Sequence, residues 1–217
     1  MGRMTGAVLW DMDGTLVDSE EYHWLSWRDT MAAEGIPITH DQFVVTFGQR
    51  NDSILPRWLG DGATPDRIHR IGDAKEELYR KLVRQGGLVP LPGAADWVQR
   101  LQAESWRQAI ASSAPRANLD VVLEVTGLAR CFDALVSAED VTVGKPDPQV
   151  FLKAASRLGM PPSQCVVVED AASGVEAARR AGMRSIGVSK KTALRADVAV
   201  SSLAELAPDV FVRLLTR

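Results

Sequence analysis

The chain has 217 residues, 46% of them hydrophobic and 24% charged, with a formal net charge of −3. This is enough for one large domain or a domain with an insertion, with a sizeable interior, and it leaves no basic footprint for nucleic acid. No apolar run approaches the roughly 20 residues that span a bilayer, Ala7 to Trp10 is too short for a secretory signal, and Gly6 breaks the myristoylation pattern.

The first element is the apolar run Ala7-Val8-Leu9-Trp10, read as a buried parallel strand. It stops at Asp11-Met12-Asp13-Gly14-Thr15. Ligands of open α/β sheets bind at carboxyl ends of strands. Two acids there repel one another unless a cation binds or one keeps a proton. The pair therefore points to a metal-assisted site in which one carboxylate attacks and the other moves protons; a plain strand-ending turn is the alternative. Residues from about 18 to 87 contain no strand run and read as helices over 19–34, 40–46, 51–59 and 64–84. Gly86 to Gly93 then reads as a linker returning to the first layer.

From there strand and helix alternate. Strands are expected at Gln108–Ser112, Ala134–Val136, Cys165–Val168 and Arg184–Val188, with a short edge strand at Val198–Val200. Helical spacing separates them, in Trp97, Val98 and Leu101, in Leu119, Val122 and Leu123, and in Phe151, Ala154, Ala155 and Leu158. The last of these helices is expected to have Asp147 as its N-cap and Pro148 as its first residue. Such alternation implies a mostly parallel sheet covered on both faces. Ser112 and Ser113 end the second strand, where a hydroxyl and neighbouring N–H groups can hold an anionic oxygen. Lys145, in Gly-Lys-Pro-Asp-Pro, can neutralise a nucleophilic carboxylate and a transferring phosphoryl group. Glu169-Asp170 follow the fourth strand, and an acid pair there needs a cation or hydrogen bonds. Hard oxygen ligands favour Mg²⁺ over zinc. Of the two cysteines, Cys165 reads as a small core residue and neither shares metal-ligand spacing, so a reduced cytoplasmic setting is expected.

The order Asp11-x-Asp13-Gly14-Thr15, Ser112, Lys145-Pro146, Glu169-Asp170 resembles the four motifs of the haloacid dehalogenase superfamily, over essentially the whole chain. The resemblance implies an α/β fold, a Rossmannoid, doubly wound parallel core (1–17 and 88–217), with an inserted all-helical cap (18–87) like that of the β-phosphoglucomutase-like branch. It also implies Mg²⁺-dependent phosphoryl transfer, with Asp11 as nucleophile and Asp13 as general acid/base. Ser112 and Lys145 would bind the phosphoryl group. Asp11, the Asp13 carbonyl, Glu169 and Asp170 would hold Mg²⁺, with Asp170 the surer of the pair. Asp13 also turns the reading away from true dehalogenation.

The same resemblance raises the question of phosphatase or mutase. His23, Arg50 and Lys75 look like cap residues of the mutase that couple closure to binding or grip a second phosphate. A Schiff-base role for Lys75, as in a carbon–phosphorus hydrolase of the superfamily, is a minor alternative. Against the mutase, which follows its Ser with a Lys-Asn pair, this chain reads Ser112-Ser113-Ala114-Pro115-Arg116-Ala117-Asn118, with Arg116 as a substitute cation. Thr15, Ser113 and Arg116 complete the expected substrate-binding set. The reading favoured is a phosphatase for a small phosphorylated metabolite, a sugar or polyol phosphate. β-Phosphoglucomutase is the alternative, and a catalytically silent binding protein the remote one. A monomer without nucleic-acid or membrane partners is expected.

Overall fold

The structure is a computed structural model and describes residues 6–216. Six parallel strands form one sheet: β1 (Ala7–Trp10), β2 (Arg107–Ala111), β3 (Ala134–Val136), β4 (Cys165–Glu169), β5 (Arg184–Val188) and β6 (Val198–Val200), in the order β3-β2-β1-β4-β5-β6. Strand β1 lies between β2 and β4, pairing Trp10 with Ile110 on one side and with Val168 on the other. The chain order therefore reverses beside β1, and the crevice of such a sheet opens at that switch point. Asp11 is the first residue beyond β1, and its N–H donates to the Val168 carbonyl at 3.0 Å.

All four residues of β1 are fully buried because both sheet faces are covered. On one face Val8 and Trp10 join Ile110, Val166, Val168 and Ile186. Helices α5 (Ala94–Ala103), α6 (Arg116–Thr126) and α9 (Val210–Leu215) cover this face. Phe211 of α9 meets Trp97 and Trp10 with ring centroids 5.2 and 6.3 Å apart. The Trp10 indole N–H donates to Gln108 Oε1 at 3.0 Å, so the buried indole is satisfied. The opposite face is built from small residues. Ala7, Leu9, Ala109, Ala111 and Val167 pack under α7 (Gln149–Leu158) and α8 (Ala172–Arg180), which contribute Phe151, Ala154, Ala177 and Ala178. Cys165 is fully buried on this side, as expected.

Between β1 and α5 the chain forms α1 (Glu20–Ala33), α2 (His40–Val44), α3 (Asn51–Leu59) and α4 (Pro65–Gly86). These helices have a separate apolar cluster that includes Trp27, Met31, Phe43, Ile54, Leu55 and Ile71. Their starts are locally encoded. Thr39 and Gln42 make a reciprocal capping box, and Thr64 accepts from the Arg67 N–H with Pro65 in the first turn. The second half of α4 leaves this cluster, and Tyr79 and Val83 join the core beneath α6. The chain enters and leaves the insertion side by side, through an antiparallel bridge between Val17 and Pro90.

Most boundaries differ from expectation by one or two residues. Helix α7 begins at Gln149 rather than Pro148, because Asp147 Oδ1 accepts the Gln149 N–H at 2.9 Å and leaves Pro148 as the cap. Helix α2 stops at Val44, and residues 45–48 form a turn.

Candidate active site

The carboxyl ends of β1, β2 and β4 and the inner side of the insertion enclose a cavity of about 300 Å³. Asp11, Asp13, Ser112, Ser113, Lys145, Glu169 and Asp170 line its sheet side, and His23, Arg50 and Lys75 its helical side.

Asp11 follows β1 directly and is 8% exposed. Lys145 Nζ donates to Asp11 Oδ1 and to Glu169 Oε1, each at 2.5 Å. Burial lifts the Asp11 pKa and Lys145 pulls it down, but burial with the charges of Glu169 and Asp170 keeps it well above the ordinary carboxylate value. Burial opposes the Lys145 charge, yet Asp11 and Glu169 outweigh it and raise that pKa. Asp170 is pushed up to about 7 by burial and by the adjoining Glu169 charge. One oxygen from each of Asp11, Glu169 and Asp170 falls within a cluster spanning 4.8 Å. Three carboxylates grouped this closely beside a single lysine are short of positive charge, and an all-oxygen donor set suits Mg²⁺.

The two acids of the β4 pair are not equivalent. Glu169 is 1% exposed; its Oε1 accepts from Lys145 and its Oε2 from the Ala171 N–H at 2.9 Å. Both oxygens are thus engaged by the protein. Asp170 is contacted by the Thr15 hydroxyl at 3.4 Å. Gly14, at φ +83°, leaves room for Asp170, since a Cβ there would lie 2.2 Å from its Oδ2.

Asp13 has different neighbours. Ser19 Oγ donates to its Oδ1 at 2.5 Å, and His23 Nε2 lies 3.3 Å from the same oxygen. Burial would raise Asp13, but the contacts with His23 and Ser19, with Lys75 beyond them, hold its pKa below the ordinary value. It is therefore a carboxylate in the free protein. Ser112 is buried at the end of β2, where its Oγ accepts the Ala114 N–H at 3.1 Å.

Three expected substrate contacts have other surroundings. Arg116 lies outside the cavity lining: its side chain is half exposed and its Nε donates to Asp120 one turn along α6. Thr15 is fully buried and faces Asp170 rather than the cavity. Arg50 reaches the cavity, but its guanidinium donates to Asp52 at 2.8 Å and to the Ala138 carbonyl at 2.7 Å. His23 and Lys75 are buried at 8% and 2% exposure, not displayed on a solvated helix face. Ser19, Asn51, Glu76 and Asn118, which sequence reasoning missed, complete the polar surroundings of the site. Ser19 has one legible signal, its place one helical N-cap after the Asp13 turn; the others have none.

A haloacid dehalogenase-like hydrolase model matches residues 5–182. The fold and this strand-end site define the class, and the chain belongs to that hydrolase family and is an enzyme. It is 34% identical to hexitol phosphatase B of Escherichia coli over 92% of this chain and 93% of that protein. It is 31% identical to the β-phosphoglucomutase of Bacillus subtilis, covering 92% and 91% of the two chains. A crystal structure of β-phosphoglucomutase from Clostridium difficile superposes with a TM-score of 0.87 at 26% identity, over 98% of each chain. No helix among the described residues is long and apolar enough to cross a membrane.

Proposed function

We propose that the protein is a phosphatase for a small phosphorylated metabolite, a sugar or polyol monophosphate, with Asp11 as nucleophile. The observation that carries this reading is Asp11 held by Lys145 beside the Asp11–Glu169–Asp170 oxygen cluster, at the switch point of the sheet. Asp11 attacks phosphorus in line with the ester oxygen, and the bond to the leaving alcohol breaks as an acyl phosphate forms on Asp11. Asp13, protonated for this step, gives its proton to the departing oxygen. As a carboxylate again, it takes one from the water that attacks the acyl phosphate, releasing phosphate and restoring Asp11. Lys145 and Ser112 meet the charge on the phosphoryl oxygens. Asp11, the Asp13 carbonyl and Asp170 would hold Mg²⁺, which when bound neutralises and orients the phosphoryl group. Glu169, with both oxygens engaged, serves chiefly to aim Lys145. The insertion, residues 18–87, acts as the cap over this centre.

Two observations favour hydrolysis over the mutase reaction. The cap cations Arg50 and Lys75 are already committed, to Asp52 and main-chain carbonyls and to Glu76. The intervening wall carries Trp27, Phe43, Phe47, Ile54 and Ile68, which offer nothing to a second phosphate. The kinship with hexitol phosphatase B supports a polyol or sugar leaving group.

The test is phosphate release with Mg²⁺ over a panel of sugar and polyol phosphates, including β-glucose 1-phosphate with and without a bisphosphate activator. Release is expected, and Asp11→Asn, nearly isosteric, should abolish it while retaining the native circular dichroism spectrum. Isomerisation without release would overturn the phosphatase reading, and an active Asp11→Asn variant the nucleophile.

A further inference from the structure

The insertion buries a charge that the reaction above does not use. Glu76 on α4 is 5% exposed, and both of its oxygens are matched. Lys75 Nζ and Asn51 Nδ2 donate to Oε1 at 2.9 and 2.8 Å, and Asn118 Nδ2 donates to Oε2 at 2.6 Å. A carboxylate so far from water is costly unless paired and hydrogen-bonded. The partners come from separate elements: Lys75 from α4 itself, Asn51 from the start of α3, and Asn118 from α6, which follows the Ser112 loop. Asn118 is fully buried, and its Oδ1 accepts from Arg80 Nη1 at 3.1 Å. A guanidinium can only donate, so the amide oxygen faces Arg80 and the NH₂ faces Glu76.

In the other direction the chain of contacts reaches Asp13. Lys75 Nζ lies 2.8 Å from His23 Nδ1. An ammonium has no acceptor, so Nδ1 accepts and the ring proton sits on Nε2, directed at Asp13. The His23 ring stacks on Tyr79 with centroids 4.1 Å apart and meets the edge of Phe47 at 5.8 Å. These contacts leave the imidazole little freedom to turn. Its tautomer thus depends on the lysine, and the lysine's place depends on Glu76.

We propose that Glu76 is a positioning residue for the Asp13 proton shuttle: it fixes Lys75, and through it the His23 tautomer that faces Asp13, while Asn118 fastens this chain to the helix behind the Ser112 loop. The proposal rests on the acid/base role given to Asp13 above.

The experiment compares wild type with Glu76→Gln on two esters, a polyol phosphate and para-nitrophenyl phosphate. Only the polyol needs a proton on leaving. The variant should lose kcat/KM on the polyol phosphate by up to about 10²-fold, the cost of misplacing a catalytic group by about 1 Å. The loss on the aryl ester should be much smaller. Equal losses on both esters, or none, would overturn the proposal.

A second readout does not depend on turnover. Imidazole nitrogen shifts, with His23 assigned by their disappearance in His23→Gln, should show the Nε2–H tautomer in wild type and a mixture in Glu76→Gln. An unchanged tautomer in the folded variant overturns the role of Glu76, whatever the activity. A wild type that cleaves neither ester would instead sink the phosphatase reading, and the tautomer would still decide on Glu76. If Glu76→Gln fails to fold, Asn118→Ser removes the donor to Oε2, along with the acceptor for Arg80, and leaves Glu76 and Lys75 in place. It should lower the polyol-to-aryl ratio in the same direction, and an unchanged ratio in that variant counts against the proposal.

Discussion

Lys145 is held at 2.5 Å from both Asp11 and Glu169, and this geometry depends on a residue without a side chain. A Cβ on Gly174, in the first turn of α8, would lie 1.9 Å from Glu169 Oε1, the oxygen that receives the lysine. Gly to Ala inside a helix ordinarily stabilises by about 0.5–1 kcal/mol. Here the sign should invert. Gly174→Ala is expected to lower stability by about 1–3 kcal/mol, the usual cost of overpacking, and to reduce kcat by displacing Lys145. A melting curve with steady-state kinetics checks both, and a stabilised, fully active variant would contradict the packing described. At this scale the acids, Ser112 and Lys145 are legible because strand ends determine where they go. Glu76 and Asn118 are not, because 42 residues separate them and only the packing of α4 on α6 makes them partners. Arg116 misleads because a cation two residues before a buried Asn can still face solvent on a helix.

Helix α7 is joined to the turn after β3 by an ion pair. Arg157 donates to both oxygens of Asp140, and Asp140 Oδ2 also accepts the Ser137 N–H at 3.0 Å. The Arg157 hydrogen bond outweighs burial and lowers the Asp140 pKa from 3.8 to about 2. For a carboxylate with a depressed folded pKa, the unfolded chain binds the proton first. The stabilisation is therefore complete above the unfolded value and disappears as pH falls through the folded one. Asp140→Asn should be less stable than wild type at neutral pH, and the gap should close between about pH 4 and pH 2. Denaturation midpoints across that range test this, and a constant gap would mean the pair contributes nothing through its charge. Element positions were largely readable from periodicity, whereas exact starts depend on side-chain bonds such as that of Asp147 to Gln149, which periodicity does not encode.

For the whole molecule, alternation of strands and helices after residue 107 announces the parallel sheet, and the strandless stretch before it announces the insertion. Less legible is that α4 serves two apolar cores, with Ile71 in the insertion's cluster and Tyr79 and Val83 in that of the sheet. In sequence all three are simply apolar positions along one helix. In hydrogen exchange, amides from Tyr79 to Val83 should open only with the sheet, while those of α2 should exchange through smaller, cheaper openings. Uniform exchange along all four helices would contradict this division. The arrangement makes α4 a lever whose short arm is embedded in the sheet's core. The free arm from Pro65 to the embedded Tyr79 spans about 21 Å at 1.5 Å per residue. A swing of about 5° about the embedded end therefore carries the free end by about 2 Å. Helix α3 packs on α4, and Arg50 at its start donates to the Ala138 carbonyl at 2.7 Å, so a tilt that carries α3 along stretches this bond past hydrogen-bonding range and frees one tie between the insertion and the turn after β3.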